Sequence, residues 1–126
     1  MIQTSVIKTY YDDEKSLLKE EYFQINGKKN GIYRMYYLNK NLAEEINYID
    51  DKKNGIYKSY YYFNGKLYQE INYINDKRQG FSKSYHVNGQ LESEGNFIDD
   101  IRQGIYKLYN DNGQLLEEIN YIDNKY

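Results

Sequence analysis

Apolar and polar side chains alternate along most of this chain in short runs, and polar stretches bearing Asn, Asp and Gly separate them. One run reads Gly104-Ile105-Tyr106-Lys107-Leu108-Tyr109, and Leu115 to Tyr121 (LLEEINY) follows it across a polar gap. A period of two is that of a β-strand, whose successive side chains point to opposite faces. The runs are too short and too often bounded by Asn or Gly for helices. Strands are predicted throughout.

The runs repeat. Gly31, Gly55, Gly80 and Gly104 are spaced by 24, 25 and 24 residues, and each opens a string such as Gly55-Ile56-Tyr57-Lys58-Ser59-Tyr60. A second string follows in each unit: Leu42 to Tyr48, Leu67 to Tyr73, Leu91 to Phe97 and Leu115 to Tyr121. An imperfect first copy spans Ser5 to Asn30, which gives repeats at about 5–30, 31–54, 55–79, 80–103 and 104–126. Each copy reads as two strands around a turn. Asn64-Gly65, Asn88-Gly89 and Asn112-Gly113 lie between the strings, and Asn-Gly is a strong hairpin signal because both residues tolerate positive φ. The second copy has Asn39-Lys40 there instead.

Counting outward from Asn112-Gly113 sets Lys107 opposite Glu118, Ile105 opposite Asn120 and Tyr109 opposite Leu116. The same count pairs Lys83 with Glu94 and Arg34 with Glu45. A three-residue loop, Phe63-Asn64-Gly65, pairs Lys58 with Glu70, and a four-residue loop, Asp13 to Ser16, pairs Lys8 with Glu21. A basic residue thus faces an acidic one in every copy, worth about 0.2–1 kcal/mol each and a guard against slipped register. Tyr57, Leu67, Ile71 and Tyr73 share the expected packed face, with Tyr106, Leu115, Ile119 and Tyr121 as equivalents. Ile56, Lys58, Tyr60, Glu70 and Asn72 share the mixed one. The predicted fold is all-β: one domain forming a single-layer, twisted antiparallel meander of about five tandem β-hairpins, either open or with its Leu/Ile/Tyr face curled partly on itself. Lone hairpins are marginal, so stability must come from neighbours.

Composition narrows the picture. The chain holds 18 Tyr but only 4 Phe and no Trp, with a mean hydropathy of -1.00, which suits thin, half-wet sheets better than a thick core. Net charge is -2 and no basic block exists, so nucleic acid is not an expected partner, and no polybasic patch favours a membrane. The absence of Cys excludes disulfides and thiolate metal sites. The first residues lack a signal-peptide pattern, so the expected setting is soluble and cytoplasmic.

The pattern Gly-Ile-Tyr-Lys-x-Tyr, then Asn-Gly-x-Leu-x-x-Glu-x-Asn-Tyr, then an Asp-Lys-Arg-Gln-Gly turn resembles the variant MORN repeat. It departs from the eukaryotic form, which has Trp and more Gly in the first strand. The resemblance implies a single layer of successive hairpins, and binding rather than catalysis, sometimes of a cognate toxin.

Candidate chemistry is sparse. His86, the sole histidine, replaces the Tyr or Asn of other copies at a strand end and reads as a surface or edge residue. The acid pairs Asp12-Asp13, Asp50-Asp51 and Asp99-Asp100 read as turns in which Asp hydrogen-bonds its own backbone, without the alternating spacing of a calcium loop. No catalytic group, metal or cofactor is expected. Specificity is sought where a copy departs from the others, at Tyr60-Tyr61-Tyr62-Phe63 with Tyr68 across the hairpin, extended by Tyr36 and Tyr37. Tyr-rich surfaces favour protein partners. The leading expectation is a protein-binding antitoxin, immunity protein or other inhibitor of an effector such as a toxin or nuclease. Self-assembly through open sheet edges and nucleic-acid mimicry are the rivals.

Overall fold

The computed structural model describes residues 1–122. Within them every regular element is a strand: β1 (Thr4–Tyr10), β2 (Leu18–Ile25), β3 (Lys28–Lys29), β4 (Gly31–Tyr36), β5 (Leu42–Ile49), β6 (Lys52–Lys53), β7 (Gly55–Tyr60), β8 (Leu67–Ile74), β9 (Lys77–Tyr85), β10 (Leu91–Ile98), β11 (Ile101–Arg102), β12 (Gly104–Tyr109) and β13 (Leu115–Tyr121). They form one open antiparallel sheet in the order β1-β2-β4-β5-β7-β8-β9-β10-β12-β13, with β3, β6 and β11 paired to β2, β5 and β10. Among the described residues it is a meander of tandem hairpins with two open edges.

All five basic–acidic pairs stand in register: Lys8 with Glu21, Arg34 with Glu45, Lys58 with Glu70, Lys83 with Glu94 and Lys107 with Glu118. The turns are distributed differently from the prediction. At the Asn-Gly tips only the glycine is left-handed. Gly89 has φ +91°, its N–H donates to the His86 carbonyl at 2.8 Å, and the His86 N–H donates to the Gln90 carbonyl at 2.8 Å. That is a type I turn closed by a G1 bulge, a three-residue loop rather than a two-residue one. Gly113 (φ +84°) repeats it, and Lys40 (φ +75°) occupies the glycine position of the second hairpin. The third tip is a four-residue loop, Tyr62 to Gly65, closed by Tyr61 N–H to Lys66 O at 2.8 Å. The first tip runs from Asp12 to Ser16. The two-residue turns with both residues left-handed lie at the other end of the strands, at Asp50-Asp51 (φ +47° and +68°), Asn75-Asp76 and Asp99-Asp100. These are the turns of type I′, and they connect one hairpin to the next.

Every hairpin also carries a bulge beside its tip, on the second strand. Tyr109 therefore faces Leu115, not Leu116, and Tyr60 faces Leu67. One additional residue inverts the alternation beyond it. Leu67 and Leu115 consequently belong with Tyr60 and Tyr109 on the mixed face, and the bulge residues Ala43, Tyr68 and Glu92 turn to the face of the tyrosine row. The two-face assignment holds for Tyr57, Ile71 and Tyr73 but not for the leucines.

The tyrosine-row face is the nearest thing to a core. Among the described residues the buried apolar side chains are Tyr33, Ala43, Ile46 (1% exposed) and Phe97. Tyr33 lies 5.6 Å from Tyr22 and 5.9 Å from Tyr48, centroid to centroid, and Lys29 Nζ stands about equally near all three rings at 5.1, 5.0 and 5.1 Å. Lys53 covers Tyr57 and Tyr73 in the next repeat, and Arg102 covers Tyr106 at 4.2 Å. A cation over a box of rings seals each small core from water and contributes roughly 0.5–1 kcal/mol per contact.

Two substitutions with opposite outcomes check the turn assignment. Gly89→Val places a β-branched residue at a left-handed position and is expected to cost about 1–2 kcal/mol. Lys40→Gly relieves the same conformation and is expected to stabilise by about 1 kcal/mol in denaturant unfolding.

Candidate binding surfaces

Short polar links stitch each hairpin to the next at both edges of the ribbon. Along the tip edge the hydroxyls of Tyr11, Tyr37 and Tyr61 donate to the carbonyls of Tyr36 (2.7 Å), Tyr60 (2.6 Å) and Tyr85 (2.6 Å), each one repeat further on. His86 occupies this position in the fourth repeat, with Nε2 2.8 Å from the Tyr109 carbonyl, so its ring substitutes for a tyrosine hook. Asn39, Asn64 and Asn88 form a second column, donating to Tyr62, Val87 and Asp111. At the connection edge, Asp51, Asp76 and Asp100 accept from the backbone N–H of Lys29, Lys53 and Arg78 at 2.7–2.8 Å. The paired acids thus bond the preceding repeat rather than their own turn. Asp12 does cap its own loop, accepting from Leu17 N–H at 2.8 Å. The Arg78 backbone N–H and then its guanidinium hold the Asp100 carboxyl below its usual range. No cluster of three metal-ligating side chains occurs among the described residues.

The aromatic residues singled out in the sequence do not form one patch. Tyr36 and Tyr60 lie on the mixed face, and Tyr36 donates to Glu21 at 2.8 Å. Tyr37 and Tyr61 are hooks of the tip edge. Tyr62 packs edge-on against Tyr37 at 5.0 Å and against Phe63 at 5.0 Å, so these three rings form a cluster on the third tip. Phe63 is 90% exposed. Tyr68, the bulge residue, stacks on Tyr61 at 4.9 Å from the tyrosine-row face.

A feature missed from the sequence lies beside Tyr68. A groove of about 260 Å³ crosses the tyrosine-row face at the fourth repeat, lined by Tyr68, Arg78, Ser84, Ser93, Phe97 and Arg102. The fourth repeat has small residues where its neighbours have large ones: Ser82 for Tyr57, Ser93 for Glu117 and Gly95 for Ile71. Gly95 is required, because a Cβ there would lie 2.7 Å from Tyr106 Cδ2. The Ser84 and Ser93 hydroxyls bond each other at 2.5 Å on the floor, and Arg78 stacks on Phe97 at 4.3 Å. Gln69 and Ser93 replace two glutamates of this column, while Glu92 enters the lining and accepts from the Ser84 hydroxyl at 3.1 Å. Its sequence signal is three departures toward small residues within one copy, next to a far more conspicuous aromatic run.

Tyrosine–glutamate bonds couple adjacent hairpins on both faces. Tyr57 donates to Glu44 at 2.8 Å, Tyr85 to Glu70 at 2.7 Å, and Tyr33 to Glu20. Burial and then the Glu70 bond push the Tyr85 hydroxyl up to about 12; Tyr33 and Tyr57 rise for the same reasons toward Glu20 and Glu44. The Tyr33 bond in turn holds Glu20 below the ordinary carboxyl range.

Compared with known families, the chain matches the MORN repeat variant over residues 29–50, 53–75, 78–99 and 102–123. These four tandem matches cover more than half of it. The chain belongs to the MORN repeat variant family. No curated protein matches it. MORN repeats are non-catalytic modules that generally bind proteins or membranes; no helix of this member is long and apolar enough to cross a membrane. The matched unit starts in the strand just after each connecting turn, and hairpin β1–β2 precedes the first match.

The tyrosine bonds fix an alkaline limit. A phenol whose pKa is higher folded than unfolded stabilises fully below the unfolded value, here 10.0, and loses that contribution as pH rises through the folded one. Melting temperature is expected to fall between about pH 10 and 12, and Tyr85→Phe to flatten that fall while lowering the plateau below pH 10.

Proposed function

We propose that this MORN-type ribbon binds a protein partner and acts as an antitoxin, immunity protein or other inhibitor of an effector enzyme, such as a toxin or nuclease, in the cytoplasm. The observation that carries the binding reading is Phe63, 90% exposed yet braced edge-on by Tyr62, which Tyr37 holds in turn. A rigid, exposed ring loses little entropy when a partner covers it. The groove beside Tyr68 gives the same partner an anchoring point. Arg78 is engaged by Asp100, but Arg102 on the same wall suits an acidic side chain, because Arg presents a planar fork matched to a carboxylate. No catalytic role is assigned to the chain. Nucleic acid is a poorer partner, since acids and bases alternate across the sheet and leave no basic face.

A photo-crosslinking residue in place of Phe63, expressed in the native host, is expected to form an adduct with one protein, while the same residue at Ile98 is not. Phe63→Ala should abolish co-purification of that protein with the tagged chain and change unfolding stability by less than about 0.5 kcal/mol. Suppression of the captured protein's enzymatic activity by the purified chain would support the inhibitor reading. Adducts that are equal at both positions, or absent, would sink the binding surface.

A further inference from the structure

The basic–acidic pairs inside the hairpins also continue between them. Glu21 of β2 faces Arg34 of β4, Glu45 faces Lys58, Glu70 faces Lys83 and Glu94 faces Lys107. Joined to the five pairs within hairpins, these make one unbroken row across ten strands, alternating in sign at every step from Lys8 on β1 to Glu118 on β13. Arg34 and Glu45 close to 2.8 Å, Lys107 and Glu118 to 3.9 Å. The row begins with a base on one open edge and ends with an acid on the other.

We infer that β13 of one copy pairs antiparallel with β1 of the next, extending the sheet head to tail. The joint between β5 and β7 shows what such a contact looks like: Glu44 faces Ser59 and Glu45 faces Lys58. β13 carries Glu117-Glu118-Ile119-Asn120-Tyr121 where β5 carries Glu44-Glu45-Ile46-Asn47-Tyr48, and β1 carries Lys8-Thr9 where β7 carries Lys58-Ser59. The inferred joint sets Glu118 against Lys8 and Glu117 against Thr9. Both contacts already exist in the first hairpin, where Lys8 faces Glu21 and Thr9 Oγ1 donates to Glu20 at 2.8 Å. The same count brings Ile7 beside Ile119. Among the described residues β1 and β13 are hydrogen-bonded on one side only, and Val6, Leu115 and Leu116 are exposed there. An unpaired edge is a template for another strand. Because the two edges differ, the contact is heterologous and grows by addition, each copy contributing about 48 Å from ten strands at roughly 4.8 Å.

The test is sedimentation velocity over rising concentration, with small-angle scattering for shape. The wild-type chain is expected to associate into elongated species, less so at about 0.5 M salt. Lys8→Glu and Glu118→Lys each set like charges at the joint and are expected to weaken association about tenfold. The two variants mixed are expected to associate again, since every joint between one variant and the other brings opposite charges together. Circular dichroism and melting temperature establish that both variants are folded. A wild-type chain that stays monomeric at the highest attainable concentration, or single variants that associate as the wild type does, would overturn the inference. Neither outcome bears on capture at Phe63.

Discussion

The structure depends on how one hairpin is held to the next without a shared core. A single-layer sheet leaves both faces in contact with water, and the direct ladder between neighbouring hairpins is short. Only Glu20 with Met35 and Glu21 with Arg34 stand in register between β2 and β4, and the β5–β7 and β10–β12 joints are as brief. Side chains that reach across to the neighbour's backbone fill the gap at both margins. Tyrosine hooks and asparagine amides do so at the tips, aspartates at the connections. An intramolecular hydrogen bond contributes about 0.5–1.5 kcal/mol net, and less where it is exposed, so these links act as a set rather than singly. The abundance of Tyr follows. A single Tyr can pack beneath a cation, pack on a neighbour and donate a hydrogen bond from its tip.

Much of this was legible. The period of two gives the strands, the recurring Gly gives the repeat, and opposite charges give the pairings of Lys107 with Glu118 and its four counterparts. What was not legible required knowledge of the partner strand. Asn-Gly serves two different tips, and only the bulge opposite Tyr109 distinguishes a three-residue loop from a two-residue one. Asp50-Asp51 looks unsuited to a turn with two left-handed residues, because neither is Gly. It is held there because Asp51 is bonded to Lys29 of the previous repeat at both its N–H and its carboxylate. Such a contact has no local sequence signal. The leucines went to the wrong face for the same cause, since one uncounted bulge residue reverses everything beyond it.

The candidate surface was partly legible. The third hairpin's additional loop residue was visible, and it does raise Phe63 clear of the sheet. The aromatic run is spread over both faces and the tip, because adjacent strand residues point to opposite faces and loop-edge tyrosines are occupied as hooks. The groove shows the complementary lesson: Ser82, Ser93 and Gly95 matter by what they lack. A large side chain announces itself in a sequence, whereas a vacancy appears only once neighbouring copies are superposed.

The strands run across the ribbon's long axis, and the first and last strands lie at its two ends. Tension applied between those ends would bear on the lateral bonds in sequence rather than together, in the manner of a zip. Each joint has a similar set of links, so no single clasp guards the rest. The molecule is built to yield in small, even steps under load, with each step the release of one hairpin from its neighbour.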